Sequence, residues 1–196
     1  CKRDSFNDVE MSQMIGISRT PVREAVIQLS EESRIIEIFP QRGMRIALID
    51  VELVEEARFL RLVLEKAAVE LVCGQADEED LRWLDENIRL QEFYLEGGSS
   101  QKLLELDNKM HRKLFSICRK ELTYEMCQRL AIHYDRIRSL SVATVKDHKI
   151  IEDHKKLLEA IRRRDKKQAV EIMELHLNRW MLNEQMFRNR YPAYFK

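Results

Sequence analysis

Asp107, His111, His154 and His176 are the residues of this chain whose types and spacing could do chemistry together. Each falls on a stretch whose 3.6-residue periodicity surrounds it with apolar side chains. Leu103, Leu104, Met110, Leu114 and Phe115 flank Asp107 and His111; Ile150, Ile151, Leu157, Leu158 and Ile161 flank His154; Ala169, Ile172, Met173 and Trp180 flank His176. Residues three and four apart share a helix face, so all four polar groups point inward. Leaving a carboxylate and three imidazoles there without partners would cost roughly 1–3 kcal/mol each. A single divalent metal removes that cost for the whole set. Carboxylate and neutral imidazole suit Zn²⁺ first, with Ni²⁺ or Mn²⁺ as alternatives, and Asp107 and His111 at i and i+4 can reach one ion from one helix. The bland alternative is a buried network of Asp–His hydrogen bonds. His133, at helical spacing after Met126 and Leu130, is a weaker fifth candidate. His148, beside Asp147 at a helix start, reads as surface.

The elements that must position these groups change character along the chain. Residues 1–49 are short and punctuated. Asn7 is placed to cap a helix that runs to Ile15 and ends at Gly16, and Ser18 to cap a second with Pro21 in its first turn. That second helix carries Val22, Ala25, Val26 and Leu29. Arg34–Phe39 and Met44–Leu48 then read as two strands around the turn Pro40-Gln41-Arg42-Gly43. From Asp50 the period becomes helical. Leu53, Ala57, Leu60, Leu64, Ala67, Ala68 and Leu71 form the first stripe, which ends near Gly74. Asp77 starts the next helix (Leu81, Leu84, Ile88, Leu95), closed by Gly97-Gly98. A third starts after Ser99-Ser100, and a fourth over about 121–142 carries Met126, Leu130, Tyr134 and Ile137. A fifth covers Ile150 to Ile161, and Asp165 caps a sixth with His176 and Trp180. The expected fold is mostly α: a winged helix-turn-helix over 1–49 and an all-α bundle of six or seven helices over 50–196.

Two short helices, a tight turn and a hairpin describe a DNA-reading module. The start of its second helix, Ser18-Arg19-Thr20-Pro21-Val22-Arg23-Glu24-Ala25, is the part that enters the major groove. Arg19 and Arg23 share a face and are shaped to read guanine or clamp phosphate. Ser18 and Thr20 sit where the backbone N–H groups of a helix start can hold a phosphate. Arg42 and Arg45, at and just past the hairpin tip, are placed to follow the DNA backbone. Read blandly, all of these are ordinary solvated arginines.

The run Ile15-Gly16-Ile17-Ser18-Arg19-Thr20-Pro21-Val22-Arg23-Glu24-Ala25, followed by Pro40-Gln41-Arg42-Gly43, resembles the DNA-binding signature of GntR-type bacterial transcription regulators. The helical remainder resembles the FCD effector domain of their FadR-like branch. Arg61-Leu62-Val63-Leu64-Glu65 looks like the Arg–x–x–x–Glu of its first helix, and Asp107–x–x–x–His111, His154 and His176 fall where metal-binding members place their ligands. The resemblance implies a homodimer that binds a palindromic double-stranded operator, a divalent metal in the bundle, and a small carboxylate metabolite as effector. It also implies that Arg61 clamps that carboxylate, with Arg136 or Arg138 assisting. Two departures stand out. The family has a Gly before the first wing strand where this chain has Ser33, and its first helix should precede Asn7, so the module is expected to be truncated at its start.

Bulk composition is compatible with this and excludes little. The 196 residues are 44% hydrophobic and 35% charged, enough for a core, and the formal net charge is zero. The first fifty residues carry seven Lys/Arg against eight Asp/Glu, so any DNA contact must come from a local basic surface. Cys1, Cys73, Cys118 and Cys127 form no CxxC pair and read as reduced thiols. No membrane span or signal peptide is visible, and a cytoplasmic location is expected. The run Arg162-Arg163-Arg164 with Lys166-Lys167 reads as a solvated connection. The competing class is a helical-bundle metalloenzyme acting on a small organic acid. Against it, the Glu-x-x-His pairs of di-iron bundles and the HExxH motif are both missing, and no spare inward Glu stands out as a general base.

Overall fold

Asn7 opens the first helix as expected: its side chain accepts from Glu10 N–H while Glu10 reaches back to the Asn7 N–H, a reciprocal cap. In this computed structural model, which describes residues 5–144, 148–179 and 184–196, α1 spans Asp8–Ile15 and stops at Gly16, whose φ of 77° is left-handed. The second helix, α2, spans Arg19–Ser33. Ser18 holds the cap position, but its side chain makes no capping bond. The left-handed residue that closes α2 is Arg34 (φ 53°), one position after Ser33. Ser33 ends α2 with its hydroxyl donating to the Leu29 carbonyl.

Strands β2 (Ile36–Phe39) and β3 (Gly43–Ile46) form the expected antiparallel hairpin. A two-residue strand, β1 (Ser5–Phe6), adds to the far side of β3, giving the order β1-β3-β2. Gly43 is required there: its φ is +86°, and a Cβ would sit 2.8 Å from the Phe6 carbonyl oxygen. Val22 and Val26 of α2 pack on Ile36 and Met44 to make the small core of this module. Ala25 and Leu29, expected on the same stripe, are exposed.

The bundle consists of α3 (Val51–Gln75), α4 (Glu78–Glu96), α5 (Ser100–Ile117), α6 (Glu121–Thr144), α7 (His148–Arg162), α8 (Lys166–Asn178) and α9 (Glu184–Arg190). A single 3-10 turn at Pro192–Tyr194 follows. Asp50, Asp77 and Asp165 each accept backbone N–H bonds at the starts of α3, α4 and α8. Helix α3 is central and packs against α5, α6 and α8; α4 lies on α5 and α7. Among the described residues no helix is long and apolar enough to cross a membrane.

Two stripes differ from expectation. On α3 the buried line is Val54, Ala57, Arg61, Glu65, Ala68, Val69, Val72 and Cys73, whereas Leu53, Leu60 and Leu64 are only partly buried and Ala67 and Leu71 are exposed. On α6, Tyr134 and Ile137 are buried but Met126 and Leu130 are not. Trp180 lies outside the described residues, as does Cys1; Cys73, Cys118 and Cys127 are free and buried.

Helix α6 also contacts the N-terminal module. His133 Nε2 donates to the Ser33 carbonyl at 2.6 Å, and Arg136 donates to the Ala47 and Leu48 carbonyls at 2.7 and 3.4 Å. The chain's last residues clamp the same connection. Ile49 N–H donates to the Tyr194 carbonyl at 2.7 Å, Lys196 N–H to the Ile49 carbonyl at 3.0 Å, and Lys196 Nζ pairs with Asp50 at 2.7 Å.

Candidate metal centre and nucleic-acid interface

Asp107 and His111 lie one turn apart on the inward face of α5, His154 points in from α7, and His176 from α8. One ligand atom from each lies within 4.8 Å of the others. Three helices thus deliver four donors to one point. His111 Nε2 is 3.6 Å from Asp107 Oδ2, and His154 Nε2 is 3.3 Å from Asp107 Oδ1 and 3.5 Å from His176 Nε2. His111 and His154 are 0% and 1% exposed and Asp107 5%, so the donors are screened from bulk solvent.

The partners behind the donors define their chemistry. Gln91 Nε2 donates to Asn87 Oδ1 at 2.7 Å, which turns Gln91 Oε1 toward His154 Nδ1, 2.8 Å away. His154 therefore carries its proton on Nδ1 and a lone pair on Nε2. Burial pushes His154 down to about 4, with Asp107 opposing. Burial, then His154 and His111, hold His176 well below the ordinary histidine range. Asp107 is held well below the carboxylate range: burial opposes this, but Arg138, His111 and His154 outweigh it. Ionised carboxylate and neutral imidazole are the forms that bind a cation. His111 Nε2 is buried with no hydrogen-bond partner, and the donor set fits a divalent metal.

Beside the four donors lies a small cavity of about 50 Å³. Its lining includes Asp107, His176, Arg138, Arg179 and Ser141, with Leu103 among the apolar walls. Arg138 donates to Asp107, to Asp135 at 2.5 Å and to Asn108 at 2.8 Å, and of the two arginines of α6 it is the one that lines the cavity. Arg179 pairs with Asp153, whose Oδ2 lies 3.9 Å from His176 Nδ1.

Arg61, expected at this cavity, does not line it. Its guanidinium pairs with Glu65 at 2.5 Å inside the bundle. Glu65, named above only as the end of the Arg–x–x–x–Glu run, is an inward carboxylate; it is 1% exposed, and its other oxygen accepts from His111 Nδ1. Both of its oxygens are engaged. His133 stands apart from the cluster, bonded to Ser33. Exposed His148 lies 3.5 Å from Glu96. Gln91 and Asn87 were missed, although each is a polar residue on an apolar stripe, the signal that found the histidines.

On the N-terminal module Ser18, Arg19, Thr20, Arg23, Arg42 and Arg45 are all exposed. Arg19, Thr20 and Arg23 border one surface depression with Asp8, Glu24 and Ile27. Arg19 donates to both oxygens of Asp8, at 3.3 and 3.1 Å, so α1 steadies the first residue of α2. Arg45 lies over the Phe39 ring at 5.2 Å. Arg19 and Arg23 share their depression with Asp8 and Glu24, so its formal charges balance, while Arg42 and Arg45 stand on the hairpin.

Comparison with known proteins bears on both regions. Residues 56–179 match the FCD domain. The chain is 28% identical over 173 residues to the HTH-type transcriptional repressor RspR of Escherichia coli, spanning 88% of this chain and 75% of that protein. It is 26% identical over 181 residues to the HTH-type transcriptional regulator YdhC of Bacillus subtilis, spanning 89% and 79%. In fold it is similar to E. coli McbR/YncC, with a TM-score of 0.80 at 18% identity over 96% of this chain and 89% of that one. A GntR protein of Streptococcus agalactiae follows at 0.55 and 22%, covering 89% and 87%.

Proposed function

The chain belongs to the FCD-domain family of GntR-type transcriptional regulators, and from that premise we infer a ligand-responsive repressor of transcription. Arg19 and Arg23 read the major groove of an operator, Ser18 and Thr20 hold phosphate at the start of α2, and Arg42 and Arg45 follow the backbone from the wing. In the bundle Asp107, His111, His154 and His176 hold one divalent metal, Zn²⁺ first by donor chemistry. The metal supplies open coordination positions to a small carboxylate effector. The single observation that carries this reading is the convergence of four buried ligand atoms within 4.8 Å beside a cavity flanked by Arg138, Arg179 and Ser141. Those side chains match a carboxylate in charge and hydrogen bonding, and the cavity volume of about 50 Å³ favours a small acid.

The regulator works as a homodimer on a palindromic site, since two-fold protein symmetry matches two-fold half-sites. Phe59 and Val63 of α3 and Leu122, Met126 and Leu130 of α6 are exposed by 62, 50, 70, 64 and 41%. These helices pack side by side, and an apolar surface of that kind marks a protein contact. Coupling runs through α6, which gives Tyr134 and Arg138 to the cavity and His133 and Arg136 to the N-terminal module. An effector changes operator affinity only by binding one arrangement of these parts more tightly than the other.

Elemental analysis of purified protein, with His154→Ala alongside, tests the site. About one equivalent of Zn, Ni or Mn per chain, lost in the variant, is expected from a four-ligand site. Protein that takes up no metal even from added Zn²⁺ has a hydrogen-bonded network there instead, and the effector reading falls with the metal.

A further inference from the structure

The Arg61–Glu65 pair has no role in the reading above, yet its two charges are buried in the middle of the bundle, with side chains only 6% and 1% exposed. Their spacing of four seats both on the inward line of α3. Glu65 divides its oxygens: Oε1 accepts from Arg61 Nε at 2.5 Å, and Oε2 meets His111 Nδ1. Behind them the Arg61 guanidinium lies over the Tyr134 ring, 5.5 Å from its centre. An ionised carboxylate has no proton to give, so the hydrogen between Glu65 and His111 belongs to Nδ1. In the form that binds a metal the imidazole carries one N–H, so its lone pair is then on Nε2. That Nε2 faces Asp107 and makes no hydrogen bond.

We propose that Glu65 and Arg61 are positioning residues for the metal centre: Glu65 fixes His111 as the Nδ1–H tautomer and aims its Nε2 lone pair at the metal, while Arg61 holds Glu65 ionised and in place. This rests on the metal-site reading and reassigns Arg61, whose charge serves His111 rather than the effector. Arg61 Nε lies 2.5 Å from Glu65 Oε1 with both side chains buried, so the guanidinium faces the carboxylate directly. A carboxylate on the far nitrogen also makes an imidazole a stronger donor to a metal. Gln91 does for His154 what Glu65 does for His111, without a charge.

The test uses two double variants, Arg61→Met/Glu65→Gln and Arg61→Met/Glu65→Leu. Each removes both charges together, so neither strands a lone buried ion; they differ in whether His111 Nδ1 still has an acceptor. Long-range ¹H–¹⁵N correlation spectra, assigned with His111→Gln, report the tautomer without metal. Competition with a chromogenic chelator reports Zn²⁺ affinity. Wild type and the Gln variant should show His111 protonated on Nδ1, and the Leu variant should bind Zn²⁺ about 10–100-fold more weakly than the Gln variant. Equal affinities in the two variants, or a wild-type His111 protonated on Nε2, would overturn the proposal. Should the Leu variant not fold, the wild-type spectrum decides by the same criterion. If wild type shows the Nδ1–H tautomer but takes up no Zn²⁺, the metal reading fails and takes the lone pair's target with it, while the tautomer assignment stands.

Discussion

Replacing Asp107 by Ala separates a metal site from a hydrogen-bonded network, because it removes one donor without stranding its neighbour. Arg138 keeps Asp135 at 2.5 Å and Asn108 at 2.8 Å, so the fold should survive. A ligand that binds only the folded state at 100 times its Kd stabilises it by about 2.7 kcal/mol. For a chain of this size each kcal/mol moves Tm by roughly 2–4 °C, so buffered Zn²⁺ at that level should raise the wild-type Tm by about 5–10 °C. Removing a mere hydrogen-bonding partner of a ligand weakens metal binding by up to about 100-fold, and loss of a ligand itself should do at least as much. At a loss of about 100-fold, the same free Zn²⁺ equals the variant's Kd, and the gain falls to RT ln 2, about 0.4 kcal/mol and about 1 °C. Differential scanning calorimetry in buffered Zn²⁺, with a chelator control, measures both rises. Equal rises in wild type and Asp107→Ala would place the bound metal elsewhere, and no rise in wild type would remove the metal altogether.

Four further outcomes are expected. Arg23→Ala should weaken operator binding by about 1–3 kcal/mol if it reads a base, or lower the salt slope by about one if it holds phosphate; an unchanged titration at two salt concentrations would take Arg23 out of the interface. Phe59→Glu combined with Met126→Glu should convert a dimer to monomers in sedimentation velocity, and a dimer that persists would move the interface off α3 and α6. Histidine 154 stays neutral in the folded chain to about pH 4, against 6.5 ordinarily. Its contribution is therefore full above pH 6.5 and is lost as pH falls toward 4, on the order of 3 kcal/mol. Urea unfolding of metal-free wild type and His154→Gln at pH 7 and pH 5 should show the variant losing less; equal losses would refute the assignment. Gly43→Ala should destabilise by more than about 1 kcal/mol, since φ is +86° and its Cβ would press on Phe6; an unchanged melting curve would contradict the strand pairing of β1.

Single residues with one strong local preference made most of the fold legible. Asn7, Gly16, Asp77 and Asp165 mark helix ends through bonds made within four residues, and such local chemistry is readable without tertiary context. The strand Ser5–Phe6 was not legible, because two residues establish no period. The rotational phase of α3 was misread for a different reason. Its innermost line contains Arg61, which falls on the expected stripe between Ala57 and Leu64, and Glu65, a charge that a search for apolar periodicity leaves out. Those charges are inward because they satisfy each other and His111, a pairing across 46 positions that no local rule contains.

The ambiguity between Arg136 and Arg138 was a question of phase as well, and its answer organises the molecule. Two positions apart on a helix are about 200° apart in direction, so the two arginines must serve opposite sides. Once Tyr134 is fixed inward by its hydroxyl donating to the Leu177 carbonyl at 2.8 Å, Arg138, one turn on, must follow it to the cavity and Asp107. Arg136 is then forced outward to the carbonyls of Ala47 and Leu48, and His133, less than a turn before it, to the end of α2. The orientation of one side chain thus decides which residues of α6 touch the candidate effector site and which hold the DNA-reading module. It also follows that α6 cannot rotate to improve contacts at the cavity without disturbing its bonds to α2 and the connection at 47–48.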